Sequence, residues 1–373
     1  MENADRIAKW VEKLAPKQLA IGEDPIGWQI GDPSEQINHV LVALELTTKV
    51  IDYAINIGAK MIVTHHPVFF RPMKSLRTDQ PKGRLIQRCI QDGICVYSAH
   101  TNLDVARGGL NDWLAESIGL EQVKHFSQTR FDQHLKLVVY VPAEAEELVT
   151  SAMFGAGAGW IGEYSHCSFR QSGTGTFQPQ VGSNPYIGKV GEVESVNEIR
   201  IETIVPSAQK DRVIQAMIAA HPYEEVAYDV FQLEGIGQPQ SIGRIGFLPM
   251  PITLEQFTQQ LKTTFALKGI RFVGDANRLI KKVAIIGGAA RSYWPSAQQA
   301  GADVFITGDI DYHTAVDALE AGMSLIDPGH HVESIMQQQL TNWLIQCADQ
   351  QGGDAPNVMI SAYPNDNNPF QFV

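Results

Sequence analysis

Gly58-Ala-Lys-Met-Ile-Val-Thr64 and Gly301-Ala-Asp-Val-Phe-Ile-Thr307 carry one pattern: a glycine that stops a helix, a short apolar strand and a terminal threonine. Each lies in a stretch where apolar runs alternate with amphipathic helical segments. In the first stretch residues 39–46 read as a strand, and Thr47 caps a helix with Val50, Ile51, Ala54 and Ile55 on one face. Residues 61–64 form a second strand, 83–91 a helix, 94–99 a third strand and 110–120 a helix. In the second stretch the strands are 282–287, 304–307 and 324–326, and the helices 295–301, 314–322 and 332–348. Strands alternating with helices imply mainly parallel sheets with helices on their faces. The expected fold is therefore α/β, with two similar three-layer halves forming one domain and an internal duplication behind them.

Between the halves the texture changes. A strand at 135–141, a helix at 144–154 and a glycine- and serine-rich stretch at 155–188 precede a strand at 198–205, a helix at 211–220 and a strand at 227–233. Two β-α-β units joined through a hairpin region suggest an inserted ferredoxin-like α+β domain. The division expected is 1–130, 131–239 and 240–373, with hinges at 124–132 and 234–240.

At 373 residues the chain exceeds one ordinary hydrophobic core. Its net charge of −12 opposes long-range attraction to nucleic acid or to an anionic membrane. No apolar run reaches the ~18 residues of a membrane span, and residues 1–10 lack a signal peptide's basic start and apolar core. Cys89, Cys95, Cys167 and Cys347 show no C-x-x-C spacing, which suits reduced thiols in a cytoplasmic protein.

Chemistry concentrates where strands end. Five of the eleven histidines fall in Val63-Thr-His-His-Pro67, Ala99-His-Thr-Asn-Leu-Asp104 and Asp327-Pro-Gly-His-His-Val-Glu333. In open α/β sheets, side chains beyond the carboxyl ends of strands converge on one crevice. Imidazoles and carboxylates gathered there suit a first-row metal site with more than one ion. Adjacent residues on a regular strand face opposite ways, but on a turn before Pro67 both His65 and His66 can aim inward and serve two ions. Asp104 offers a hard oxygen, and Glu333 stands three residues after His330 and two after His331. Taken singly, each has an ordinary structural role open to it: a histidine pair can be incidental and a loop aspartate can set a turn. His100, Asp309 and His313 are candidates for proton transfer or for orienting ligands, although His100 could equally satisfy a carbonyl and Asp309 cap a helix. Gly287-Gly288 fits a plain strand-to-helix turn, since no phosphate-loop pattern surrounds it.

The stretches Thr-His-His-Pro, Ala-His-Thr-Asn-Leu-Asp, Thr-Gly-Asp and Asp-Pro-Gly-His-x-x-Glu, in that order around a central insert, resemble the NIF-three-like dinuclear metal-centre proteins. Bacterial members are known as GTP cyclohydrolase I type 2 homologues. The resemblance runs essentially the whole length of the chain. It implies His65, His66, Asp104, His330 and Glu333 as ligands to two divalent ions per subunit: zinc or iron, with manganese, cobalt or nickel also suited to these donors. Some members place the glutamate four residues after the last histidine ligand rather than three. His221-Pro-Tyr-Glu224 and Gly173-Thr-Gly-Thr-Phe177 make the central segment similar to the PII- or CutA-like insert of the longer bacterial members. The resemblance further implies a homo-oligomer, a toroidal hexamer.

Two functions follow as expectations. One is a dinuclear metal-dependent hydrolase acting on GTP or a related nucleotide. The other is a non-enzymatic metal-binding or regulatory oligomer whose insert senses a ligand.

Overall fold

The structure, a computed structural model, describes residues 1–131, 134–233, 239–350, 358–365 and 368–373. The chain divides into two compact units, one made of residues 1–129 with 240–373 and the other of residues 130–239.

In chain order the first unit begins with β1 (Glu2–Asn3), α1 (Ala4–Leu14), β2 (Gly27–Ile30), β3 (Gln36–Ile37), β4 (His39–Ala43), α2 (Thr48–Asn56) and β5 (Met61–Thr64). There follow α3 (Pro81–Gln91), β6 (Cys95–Ser98), α4 (Thr101–Val105), α5 (Leu110–Ser117) and β7 (Glu121–Phe131). The second unit holds β8 (His134–Pro142), α6 (Glu146–Gly155), β9 (Ser168–Phe177), β10 (Glu194–Pro206), α7 (Lys210–Ala220) and β11 (Tyr228–Leu233). The first unit then resumes with β12 (Pro239–Thr253), α8 (Leu254–Thr264), β13 (Arg271–Val273), β14 (Leu279–Ile285), α9 (Trp294–Gln299) and β15 (Val304–Ile306). It closes with α10 (Tyr312–Glu320), β16 (Ser324–Asp327), α11 (Ile335–Asp349) and β17 (Met359–Ala362).

Two sheets carry the first unit, in the orders β17-β4-β5-β6-β2 and β13-β16-β15-β14-β12-β7. The parallel core β4-β5-β6 of one matches β14-β15-β16 of the other, and each ends in an antiparallel edge strand supplied from earlier in the chain, β2 or β13. The order α1-β2-β4-α2-β5-α3-β6-α5 thus recurs as α8-β13-β14-α9-β15-α10-β16-α11. Each sheet also borrows a strand from the other stretch of the chain. β7, from the first half, lies beside β12, and β17, from the second, pairs in parallel with β4.

Strand alternation sets the layers. Val40, Val42, Val63 and Tyr97 turn one way and meet α1, α5, α8 and α11, together with Val283, Ile285, Val304 and Ile306 of the other sheet. Leu41, Ala43 and Ile62 turn the other way, onto α2 and α3, while Ala284, Phe305 and Leu325 face α9 and α10. The expected three-layer halves therefore share their middle layer of helices.

Where the sequence pattern predicts an element, the structure differs from it mainly at its ends, whereas α1, β2, β7, β12, α8, β13 and β17 stand outside the expected pattern. The strand expected over 39–46 stops at Ala43, and the helix expected from residue 332 begins at Ile335, after a 3₁₀ turn over His330–Ser334. Thr47 does cap α2, accepting from the Val50 N–H at 3.2 Å.

In the second unit the strand order is β11-β8-β10-β9, antiparallel throughout, with α6 and α7 packed on one face through Val149, Met153, Val213 and Met217. The two sequence stretches singled out there come together. The Tyr223 hydroxyl donates to Glu198 Oε1 at 3.0 Å, and the Glu198 carboxylate occupies the space a Cβ would need at Gly175.

Candidate metal centre

The carboxyl ends of β5, β6, β15 and β16 aim their loops at one point. At β5 the chain rolls over the end of β4: the N–H groups of His65 and His66 both donate to the Leu44 carbonyl, at 3.1 and 2.9 Å. Buried Thr64 holds the turn, its hydroxyl reaching the His66 carbonyl at 3.0 Å and the Ser98 hydroxyl at 2.7 Å. Thr307, its counterpart in the repeat, does the same for the other half by donating to the Gly288 carbonyl at 3.0 Å and accepting from the Ala290 N–H at 3.0 Å. The two imidazoles consequently face one region instead of opposite sides of a strand, with ring centroids 5.2 Å apart.

Three compact donor groups result among the described residues: His65, His66 and His100 make one, and Glu333 takes part in the other two. His65 Nε2 lies 3.5 Å from Asp104 Oδ1 and 3.8 Å from Glu333 Oε1. His66 Nε2 lies 3.0 Å from Glu333 Oε2 and 3.2 Å from His330 Nε2, which is itself 3.1 Å from the same carboxylate oxygen. Both groups, His65 with Asp104 and Glu333, and His66 with His330 and Glu333, are compact enough to hold a metal ion. Glu333 belongs to both through different oxygens. His330 and Glu333 meet because residues three apart eclipse in a 3₁₀ turn.

The chemistry of the donors fits a divalent ion. His65 Nε2 and Asp104 Oδ1 are buried and have no hydrogen-bond partner among the described residues. Leaving such atoms unmatched costs roughly 1–3 kcal/mol each, and a cation between them would answer both. The opposite ring nitrogens are committed elsewhere: His65 Nδ1 donates to the Ala99 carbonyl at 2.8 Å and His330 Nδ1 to Asp309 Oδ2 at 2.8 Å. With Nδ1 held in this way, each Nε2 points inward and would offer its lone pair to a metal once its own proton is displaced, as in histidines held for metal by a carbonyl or carboxylate. Three donors 3.0–3.2 Å apart also suit the edges of a tetrahedron whose metal–nitrogen bonds are ~2.0–2.1 Å.

The electrostatics reflect crowding. Burial opposes the charge on Glu333, but His65, His330 and His66 outweigh it and hold the carboxyl well below its usual range. Burial pushes Asp104 up to about 6 in spite of His65. For His66 burial is outweighed by Glu333 and Glu45, which raise the ring to about 9. Glu333, against burial, raises His330 to about 9. Burial likewise opposes charge on His65, yet Asp104 and Glu333 raise its pKa. Carboxylates this close hold protons on the rings, and a metal ion would compete for the same lone pairs.

The other candidates divide. His100 stands beside the cluster, its ring 5.1 Å from His65 and 5.8 Å from His66, with Nδ1 donating to Asp24 at 2.9 Å. Asp309 adopts φ +56°, a conformation uncommon outside glycine, and from there orients His330. His313 is exposed at the start of α10 against Tyr312, and no described contact brings it to the cluster. His331 lines the cavity beside the centre, whereas His330 supplies the nitrogen within the cluster.

Three participants escape a reading of the sequence. Glu45 Oε2 approaches His66 Nδ1 at 3.8 Å, and Asp24 also accepts from the Thr101 N–H at 3.0 Å. Buried Asn111 joins the halves, donating to the Asp104 carbonyl at 3.1 Å and accepting from the Gly287 N–H at 2.8 Å. Gly288, at φ +62°, leaves room for Glu333, since a Cβ there would lie 2.4 Å from Oε1. Gly288→Ala is expected to weaken metal binding roughly 10- to 100-fold, as for other residues that orient ligands, with a stability cost of about 1–2 kcal/mol for alanine at this positive φ. Competition against a chromogenic chelator, with circular dichroism alongside, measures this; unchanged affinity would show the carboxylate has slack.

Comparison with known proteins identifies the family. A Bacillus subtilis (strain 168) protein described as "GTP cyclohydrolase 1 type 2 homolog" is 45% identical over 372 residues, covering 100% of this chain and 99% of that one. The crystal structure of a Bacillus cereus protein related to NIF3 is similar with a TM-score of 0.87 and 44% identity, over 100% of this chain and 99% of that one. A Staphylococcus aureus structure gives 0.83 and 30%, again over 100% and 99%. The family model for Duf34/NIF3 (NGG1p interacting factor 3) matches residues 2–366, and the chain belongs to that family.

Proposed function

We propose that the protein is a dinuclear metal-dependent hydrolase acting on a nucleotide or a related ring compound. The observation carrying this reading is Glu333, whose two oxygens are shared between two donor sets, one of them with unpartnered buried atoms. His65 and Asp104 would hold one ion, His66 and His330 the other, and Glu333 would join them. When bound, such a pair supplies the Lewis acidity that activates water and polarises a substrate carbonyl or phosphoryl group. The remaining side chains orient: the Ala99 carbonyl fixes His65, Asp309 fixes His330 and Asp24 fixes His100. His100, held this way at the rim, is placed to move a proton to or from substrate.

The second unit is read as a ferredoxin-like insert, supported by its β-α-β-β-α-β order and the arrangement β11-β8-β10-β9. A toroidal hexamer belongs to the same reading through the family resemblance, as does a cytoplasmic setting, with four free cysteines. No helix among the described residues is long and apolar enough to cross a membrane.

Elemental analysis of purified protein, combined with turnover of guanosine, GMP and GTP by wild type and His66→Ala, tests the proposal. Wild type is expected to carry metal and hydrolyse at least one of the three, and the variant to lose both properties. If the variant loses metal while both proteins show equal, negligible turnover, the hydrolase reading falls and the non-enzymatic metal-binding reading takes its place.

A further inference from the structure

A cavity of about 600 Å³ opens beside the centre, reaching His66 and His330 at one end. That volume lies within the range of small-molecule sites. Its wall is strongly aromatic: Phe265, Tyr363, Phe370 and Phe372 all line it, and the last two are 67% and 52% exposed. Phenylalanine rings left open beside a cluster of metal donors lose less to water when a flat apolar group covers them. Phe372 packs closely on Gly269, so the segment carrying both rings is seated on the loop after α8.

Away from the end formed by His66 and His330, the charges on the wall are sparse and mixed. Among the described residues that line the cavity, Lys268 is the one lysine or arginine, and Glu45 and Asp309 stand on the same wall. A triphosphate needs several cations or N–H donors along its length, and beyond the metal donors the described wall offers Lys268 as its one lysine or arginine. A single phosphate can be answered by Lys268, and an uncharged ring needs none.

Building on the hydrolase reading, we propose that this cavity is the substrate pocket of the centre. It selects a nucleoside-sized ring compound with at most one phosphate over a nucleoside triphosphate. The ring stacks on Phe370 and Phe372, and Lys268 reads the single anionic group. The C-terminal segment then acts as the specificity element of the site.

Calorimetric titration of the full chain with guanosine, GMP and GTP, before and after chelation and with metal content measured on the same samples, tests this. Guanosine and GMP are expected to bind at least about tenfold more tightly than GTP, equivalent to ~1.4 kcal/mol. Phe370→Ala should weaken guanosine roughly fivefold or more, as expected for a lost stacking surface, and Lys268→Ala should weaken GMP while sparing guanosine. GTP binding as tightly as guanosine, or no binding of guanosine and GMP by metal-loaded protein, overturns the proposal. So does a Phe370→Ala variant that changes sedimentation but not nucleoside binding, because a second copy then covers the rings. Phe370-dependent guanosine binding by protein that carries no metal as purified would instead leave the pocket standing and remove the hydrolase reading.

Discussion

Glu333→Gln is expected to strip metal from both positions at once, reducing affinity at each by more than the roughly 100-fold that marks the upper end for orienting residues. The expectation rests on the two oxygens: Oε1 faces His65, and Oε2 faces His66 and His330. Asp104 and His330 belong to one set each, so Asp104→Asn and His330→Ala should each empty one position and leave the other filled. Elemental analysis after dialysis, normalised to protein, separates full loss from half loss. Half loss in the Glu333 variant would mean that the carboxylate serves a single ion. Full loss in either single-set variant would mean that the two positions fill only together.

Asp112→Asn should destabilise the fold by about 3–5 kcal/mol, the usual cost of removing one partner from a buried ion pair. Arg244 on β12 is completely buried. Its guanidinium pairs with the Asp112 carboxylate and donates to the Ser241 carbonyl at 2.8 Å and the Ala106 carbonyl at 2.9 Å. Burial opposes the charge on Asp112, but Arg244 outweighs burial and lowers the carboxyl's pKa. A carboxyl whose pKa is lower in the folded chain adds stability that is full above its unfolded pKa of ~3.9 and lost as pH falls through the folded value. The gap in denaturation midpoint between wild type and Asp112→Asn should therefore be widest near neutral pH and close in acid below about pH 4. A gap that persists in acid would assign the loss to packing. Replacing both residues with apolar side chains should recover much of the stability. Because Arg244 also grips the end of α4, which carries Asp104, the single variant should lower metal affinity as well.

The strand ends that matter most can be read from sequence because short apolar runs stop abruptly at histidine. Thr64 and Thr307, visible as a repeated letter, prove to be the residues that tie down the two central turns. Other parts resist reading for physical reasons. β12 holds Gly243, Gly246, Pro249 and Pro251 in fifteen residues, and its register shifts between Phe247 and Ile252, so no alternation survives. β2 has four residues and its own irregularity against β6. The start of α8, by contrast, carries a capping box in Thr253 and Gln256 that a closer reading could have found. Glu45 is hidden because the apolar run continues to Leu46 although the strand stops at Ala43. Asp24 reaches His100 across many residues of chain, a contact that no local pattern encodes.

The exchange of strands between the two sheets has a consequence for how the molecule is made. One flank of β4 waits for residues 359–362, and one flank of β12 is met by a strand synthesised long before it. His65, His66 and Asp104 emerge from the ribosome far ahead of His330 and Glu333, on a sheet that still lacks an outer strand. The complete centre can therefore close only after nearly all of the chain is present, because both groups that contain Glu333 wait for β16 and the turn beyond it.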